Sequence, residues 1–223
     1  DKYSAFYTEN AGLVPFYLVS GELDGDKMVR NARDLERYLI KHYDVTIVEY
    51  EGRGHEHFHD EIQRIFDWMG RRDRNFFPKK VAATTMRTWD NYFYWLELQQ
   101  FPSTSIVEPT DFPPRRNFQP VRTEATIKGN SINVKTGAEK VTIWLCPELV
   151  DFEKPVRITV KGQRVSHDAN VRGDLATILE DVRTRGERLH PFWVKIDSTA
   201  PRAAQATKQK PPRPSVKPVS LCR

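Results

Sequence analysis

Residues 15–70 read PFYLVSGELDGDKMVRNARDLERYLIKHYDVTIVEYEGRGHEHFHDEIQRIFDWMG. Phe16 to Val19 is a short apolar run with branched and aromatic residues, the pattern of a strand. It stops at Gly21, and an acidic turn follows, Gly21-Glu22-Leu23-Asp24-Gly25-Asp26. Asp26 stands where it can N-cap a helix. Met28, Ala32, Leu35 and Leu39 would share one face of that helix. Val45 to Tyr50 reads as a second strand, closed by Glu51-Gly52-Arg53-Gly54, with His55 just past its end. Ile62, Ile65, Phe66 and Met69 fall at i, i+3, i+4, i+7 and predict a second amphipathic helix.

A strand–helix–strand unit of this kind favours parallel pairing through a right-handed crossover. Ligand chemistry in such sheets gathers beyond the carboxyl ends of the strands. Asp24 and His55 both lie there, on strands expected to be neighbours. A carboxylate beside one imidazole nitrogen fixes the ring and leaves the other nitrogen to take a nucleophile's proton.

On these residues the stretch resembles the last two strand–helix units of an α/β-hydrolase of the prolyl-oligopeptidase and esterase type. In those enzymes a strand ends in Gly-x-x-Asp, whose Asp is the triad acid. One helix and one strand later, a Gly-x-Gly-His turn carries the triad histidine. Gly21-Glu22-Leu23-Asp24 is similar to the first motif and Gly52-Arg53-Gly54-His55 to the second. The order, acid before histidine, agrees as well. The resemblance implies Asp24 and His55 as the catalytic pair, with Asp26 the lesser candidate for the acid. It implies a peptide or ester substrate and no cofactor.

The family's nucleophile is a serine in a Gly-x-Ser-x-Gly elbow upstream of the acid. The sequence has no such motif; the nearest, Gly129-Asn130-Ser131-Ile132-Asn133, lies downstream and lacks the second glycine. The chain also begins at Asp1 rather than Met. The expectation is the C-terminal portion of a serine hydrolase, peptidase or esterase, with an upstream hydrolase segment supplying the nucleophile. The alternative is a non-catalytic binding module, for carbohydrate or protein, attached to a degenerate hydrolase.

Beyond the second helix, Arg71 to Lys80 reads as a polar hinge. From Val81 the pattern turns to short strands and turns. Residues 102–120 hold five prolines and read as a connecting loop. Arg122 to Ile127 and Ser131 to Lys135 flank a Gly129-Asn130 turn, the mark of a hairpin. Val141 to Cys146, Val156 to Val160 and Phe192 to Ile196 are further strands. Leu175 to Arg185 fits a short helix through Leu175, Ile178, Leu179 and Val182, or a strand. The fold class expected is α/β plus all-β. Residues 1–78 form a C-terminal strand–helix–strand–helix fragment of an α/β-hydrolase sheet. Residues 79–197 form a β-sandwich-like accessory domain, and residues 198–223 a disordered, basic, Pro-rich tail.

The net charge of +5 belongs to that tail, whose six cations face no acid; the first 197 residues carry −1. A nucleic-acid-binding body is therefore not supported. No apolar run reaches the length of a membrane span. Cys146 and Cys222 are too far apart in sequence and context to suggest a disulfide or a metal motif. His55-Glu56-His57-Phe58-His59 fits H-E-x-x-H in letters, but Gly52 and Gly54 oppose the continuous helix that a zinc site needs. No metal site is expected, and His57 and His59 are read as solvated. Trp89, Tyr92, Phe93, Tyr94 and Trp95 are read as core rather than a sugar-stacking face. Arg172-Gly173-Asp174 is read as turn chemistry.

Overall fold

The computed structural model describes residues 8–25, 35–108, 110, 117–166, 171–186 and 189–198. Asp26, Met28, Ala32, His167, Cys222 and the tail from residue 199 lie outside the described residues. The architecture is mixed α/β, mostly sheet with few helices, and none of its described sheets closes into a barrel.

β1 (Phe16–Gly21) and β2 (Val45–Tyr50) form a two-stranded parallel sheet, in register from Phe16 opposite Val45 to Gly21 opposite Tyr50. Residues 35–40 are helical (α1) and lead into β2. α2 (Ile62–Gly70) follows the loop after β2. Alternation puts Tyr17 and Val19, with Thr46 and Val48, on one face. Trp68 of α2 covers it: its ring meets Tyr17 edge-on at 5.4 Å, and its Nε1 donates to Thr46 Oγ1 at 3.0 Å. On the opposite face Phe16 stacks with Tyr38 of α1 at 6.2 Å.

The rotation of α2 corrects the sequence expectation. Ile62, Phe66 and Met69 are exposed, Phe66 by 61%. The sheet side holds Trp68, the half-buried Ile65 and, just before the helix, the buried Glu61. Two strands are too narrow to cover a wide apolar stripe, and polar bonds to Glu61 and Thr46 choose which flank is covered. Leu39 of α1, expected on the inner face, is exposed as well.

The second part has two sheets over one core. The larger has the order β10-β9-β7-β6-β3 and the smaller β11-β8-β5-β4. Their strands are β3 (Lys80–Thr85), β4 (Tyr92–Phe93), β5 (Leu96–Gln99), β6 (Val121–Lys128), β7 (Ser131–Thr136), β8 (Lys140–Leu145), β9 (Arg157–Val160), β10 (Gln163–Ser166) and β11 (Val194–Asp197). All pairings are antiparallel except β7 with β9. Val81, Ala125, Ile127, Ile132, Val134 and Ile158 of the larger sheet share a core with Leu96, Leu98, Val141, Ile143 and Leu145 of the smaller. Burial alternates along β6 and β7, the signature of one buried face.

The expected hairpin joins β6 to β7, with Lys128 opposite Ser131 and Gly129 at φ +54°. Asn130 does more than turn the chain: its side chain donates to the Asp151 carbonyl at 2.6 Å and accepts from the Asp151 amide at 2.9 Å. α3 (Leu175–Arg185) is a helix, capped by the Asp174 carboxylate on the amides of Ala176 and Thr177, with Gly186 left-handed at its end. Its buried side matches the apolar face only in part, with Ile178 and Val182 half-buried. Thr177 and Asp181 are buried; Leu175 and Leu179 are exposed. Asp181 decides this, because Arg185 pairs with it at 2.5 Å through two N–H groups and the Phe192 amide donates to it at 2.9 Å.

Two segments tie the parts together. Thr8–Leu13 is a 3-10 helix lying on β3, where Asn10 gives and receives one hydrogen bond with the Thr84 main chain, at 2.8 and 2.7 Å. Residues 71–80, expected as a hinge, run into β3 at Lys80 and are anchored at both ends. Arg72 pairs with Asp44 at 2.8 and 3.0 Å, Phe77 meets Phe192 edge-on, and Lys79 Nζ donates to the carbonyls of Glu148 and Leu149 at 2.5 Å each. Ser198, assigned by sequence to the tail, is instead paired with Val141: its amide donates to the Val141 carbonyl at 2.8 Å, and its hydroxyl accepts from the Val141 amide at 2.9 Å.

Candidate functional site

The two loops at the carboxyl ends of β1 and β2 are knitted together by main-chain bonds. The Glu22 amide donates to the Tyr50 carbonyl at 2.9 Å and the Leu23 amide to the Arg53 carbonyl at 2.8 Å. The Gly52 amide donates to the Glu22 carboxylate at 2.8 Å. The approach is so close that a Cβ on Gly21 would lie 2.3 Å from the Arg53 carbonyl oxygen. Gly52, at φ +69°, turns the second loop back toward the first.

This junction brings Asp24 and His55 together. His55 Nδ1 lies 2.9 Å from Asp24 Oδ1. The carboxylate is mostly enclosed, its side chain 15% exposed, whereas the imidazole is 82% exposed. The pair thus sets one ring nitrogen against a carboxylate and leaves the rest of the ring in solvent. A carboxylate so placed can select the Nδ1–H tautomer and leave Nε2 to act as a base.

Behind the pair lies a polar cluster that sequence reading missed. Glu61 is wholly buried and accepts from Tyr17 at 2.6 Å, Tyr50 at 2.5 Å and Arg64 at 2.8 Å. The phenol hydrogen bonds and the Arg64 guanidinium hold the Glu61 carboxyl below its ordinary pKa; the same hydrogen bonds, and burial, push both tyrosines up. Spacing does not announce Glu61, which follows a histidine and an aspartate in a stretch that reads as solvated. The one available signal was a tyrosine on each strand pointing to a single face.

Residues 55–58 are bends and irregular backbone, and a 3-10 turn begins at His59. His55 and His59 therefore do not share a helical face. Among the described residues no group of three His, Cys, Asp or Glu side chains is placed to hold a metal ion. His57 and His59 are exposed, with rings 5.8 Å apart. Trp89 is exposed and Trp95 fully buried, with Nε1 donating to the Pro78 carbonyl at 2.8 Å, so the two rings form no common exposed face. Ser131 opens β7 in the hairpin, and Asp174 of Arg172-Gly173-Asp174 is the cap of α3. Among the described residues no helix is long and apolar enough to cross a membrane. Comparison with protein-family models, with curated proteins and with solved structures finds no match.

Proposed function

We propose that this chain supplies the acid and the histidine of a Ser-Asp-His triad in a serine hydrolase that cleaves ester or peptide bonds. The observation that carries the reading is the Nδ1–Oδ1 contact of 2.9 Å at the ends of two adjacent parallel strands. Asp24 accepts a hydrogen bond from the Nδ1–H of His55. Nε2 then takes the proton of the attacking serine hydroxyl, and Asp24 stabilises the imidazolium. The same Nε2–H is returned to the leaving alcohol or amine as the tetrahedral adduct collapses. In the second half, Nε2 deprotonates water for attack on the acyl-enzyme and passes that proton back to the serine.

The nucleophile comes from an upstream hydrolase segment. Two features of the sheet support further strands and helices around it: among the described residues no strand pairs with the outer edge of β1 or β2, and α2 carries an exposed apolar flank of Ile62, Phe66 and Met69. By itself the chain should not turn over substrate by this route, since removing a nucleophile from a working triad costs about 10⁶-fold.

The test is fluorophosphonate labelling and nitrophenyl-ester hydrolysis by the polypeptide that joins this chain to its upstream segment. Asp24→Asn should lower kcat by about 10⁴-fold and His55→Ala by about 10⁶-fold, with labelling lost in both. Labelling and turnover unchanged in His55→Ala would overturn the proposal.

A further inference from the structure

We propose that Arg53, the second residue of Gly52-Arg53-Gly54-His55, is a positioning residue that clamps the loops of Asp24 and His55 in register. The inference rests on the reading of Asp24 and His55 as an acid–histidine pair. His55 cannot hold itself in place. Its ring is largely in solvent, and among the described residues the one ion-pair partner of its side chain is Asp24. An exposed ring on a free loop would spend most of its time elsewhere, because ordering each loop residue costs conformational entropy. Something must preset the backbone that carries it.

Arg53 reaches both sides of His55. Its guanidinium lies 4.6 Å from the ring centre of Tyr50, before the histidine, and 5.0 Å from that of Phe58, after it. Those two rings stack on each other at 5.3 Å, 15° from parallel. Nε bonds Glu56, and Nη1 bonds Asp60 at 2.5 Å. One side chain therefore closes residues 50–60 into a ring of contacts with His55 on its rim. The Tyr50 end of that ring is itself pinned by the buried Glu61. The main chain of Arg53 completes the clamp, since its carbonyl accepts from Leu23, the residue before Asp24. The planar fork matters here: its flat face stacks on the aromatic rings while its edge donates to two carboxylates, whereas an ammonium has no flat face to stack.

The experiment uses the full chain with ¹⁵N-labelled histidine and reads the imidazole tautomer by long-range ¹H–¹⁵N correlation at neutral pH. His55→Gln assigns the signal among the six histidines. The native protein should show His55 as mainly Nδ1–H. Asp24→Asn should shift it toward the Nε2–H form that neutral imidazole favours in water. If it does not, the pair itself is absent and the underlying reading fails. Arg53→Ala should produce the same shift with Asp24 intact, and Arg53→Lys should fall between it and the native protein. A native tautomer in Arg53→Ala, alongside a shift in Asp24→Asn, overturns the positioning role and leaves the pair standing. Should Arg53→Ala fail to fold, the double variant Glu56→Gln, Asp60→Asn removes the ion pairs while keeping Arg53. It should move the tautomer in the same direction, and no movement there counts against the proposal.

Discussion

Gly21→Ala should separate the two site loops, whereas Gly54→Ala should leave them alone. A Cβ at position 21 would stand 2.3 Å from the Arg53 carbonyl oxygen and 2.6 Å from that of Gly54. Both obstacles are main chain and cannot swing aside as a side-chain tip would. To reach even the 3.0 Å lower limit for such contacts, the Arg53 carbonyl must retreat by about 0.7 Å. That movement breaks or stretches the bonds from Leu23 to Arg53 and from Glu22 to Tyr50. At about 0.5–1.5 kcal/mol each, the loss is about 1–3 kcal/mol. At Gly54 a Cβ would meet the Leu23 carbonyl oxygen at 3.7 Å, an ordinary contact, and φ is not left-handed. Its replacement should cost no more than about 0.5 kcal/mol. Gly52→Ala falls between: its Cβ meets open space, but φ +69° costs a side chain about 1 kcal/mol. Native-state amide exchange is the assay, read at Leu23 and Glu22, because global melts would be dominated by the larger β part. Native protection at both amides in Gly21→Ala, or equal loss in Gly21→Ala and Gly54→Ala, would refute the reasoning.

Three further outcomes follow from the geometry. Trp95→Ala should cost about 3–5 kcal/mol in a denaturant titration, since it empties a fully buried site and orphans the Pro78 carbonyl; Trp89→Ala should change little, and similar small effects from both would show that Trp95 is not core. Glu61 has a lowered folded pKa, so its contribution to stability is present above the unfolded value of about 4.3 and fades as pH falls through the lowered one. Tyr17 and Tyr50 have raised values, so theirs is present below about 10 and fades as pH rises through the folded value. Glu61→Gln should flatten the acid limb of a stability–pH curve relative to the native protein, and superimposable limbs would sink this account. Burial pushes the Cys146 thiol up to about 12, so in a Cys222→Ser background a thiol reagent at mildly alkaline pH should react only after unfolding; prompt reaction of the native protein would contradict it.

The pairing of Asp24 with His55 was legible because it depends on main-chain topology. Two apolar runs joined by a helical stretch predict adjacent parallel strands, and both residues sit at the same end of that unit. Helix orientation was not legible. On α2 and α3 the apolar spacing names one face, yet Glu61 and Asp181 turn part of that face outward. Each buried carboxylate pairs with an arginine three or four residues on and also collects donors from beyond its own helix, Tyr17 and Tyr50 for Glu61 and the Phe192 amide for Asp181. Apolar periodicity carries no trace of those outside partners. Arg53 escaped notice for a related reason. In a Gly-x-Gly-His motif the glycines and the histidine draw attention, while the side chain that holds the turn occupies the position marked as free. The Gly129-Asn130 hairpin was read correctly from local turn chemistry, but the second role of Asn130, bridging to Asp151, depends on a loop 21 residues away.

The bond pair between Asn10 and Thr84 has a consequence for solubility. β3 is the last strand of the five-stranded sheet, and Thr84 turns its amide and carbonyl outward from β6. An outward-facing row of this kind is a template on which another chain can add a strand and begin aggregation. The Asn10 carboxamide has the same donor and acceptor as a peptide group, so it occupies the template as a neighbouring strand would, yet it ends there and offers nothing onward. A β part produced without residues 8–13 would fold with that template open, and its failure would appear as self-association rather than as a lower melting temperature.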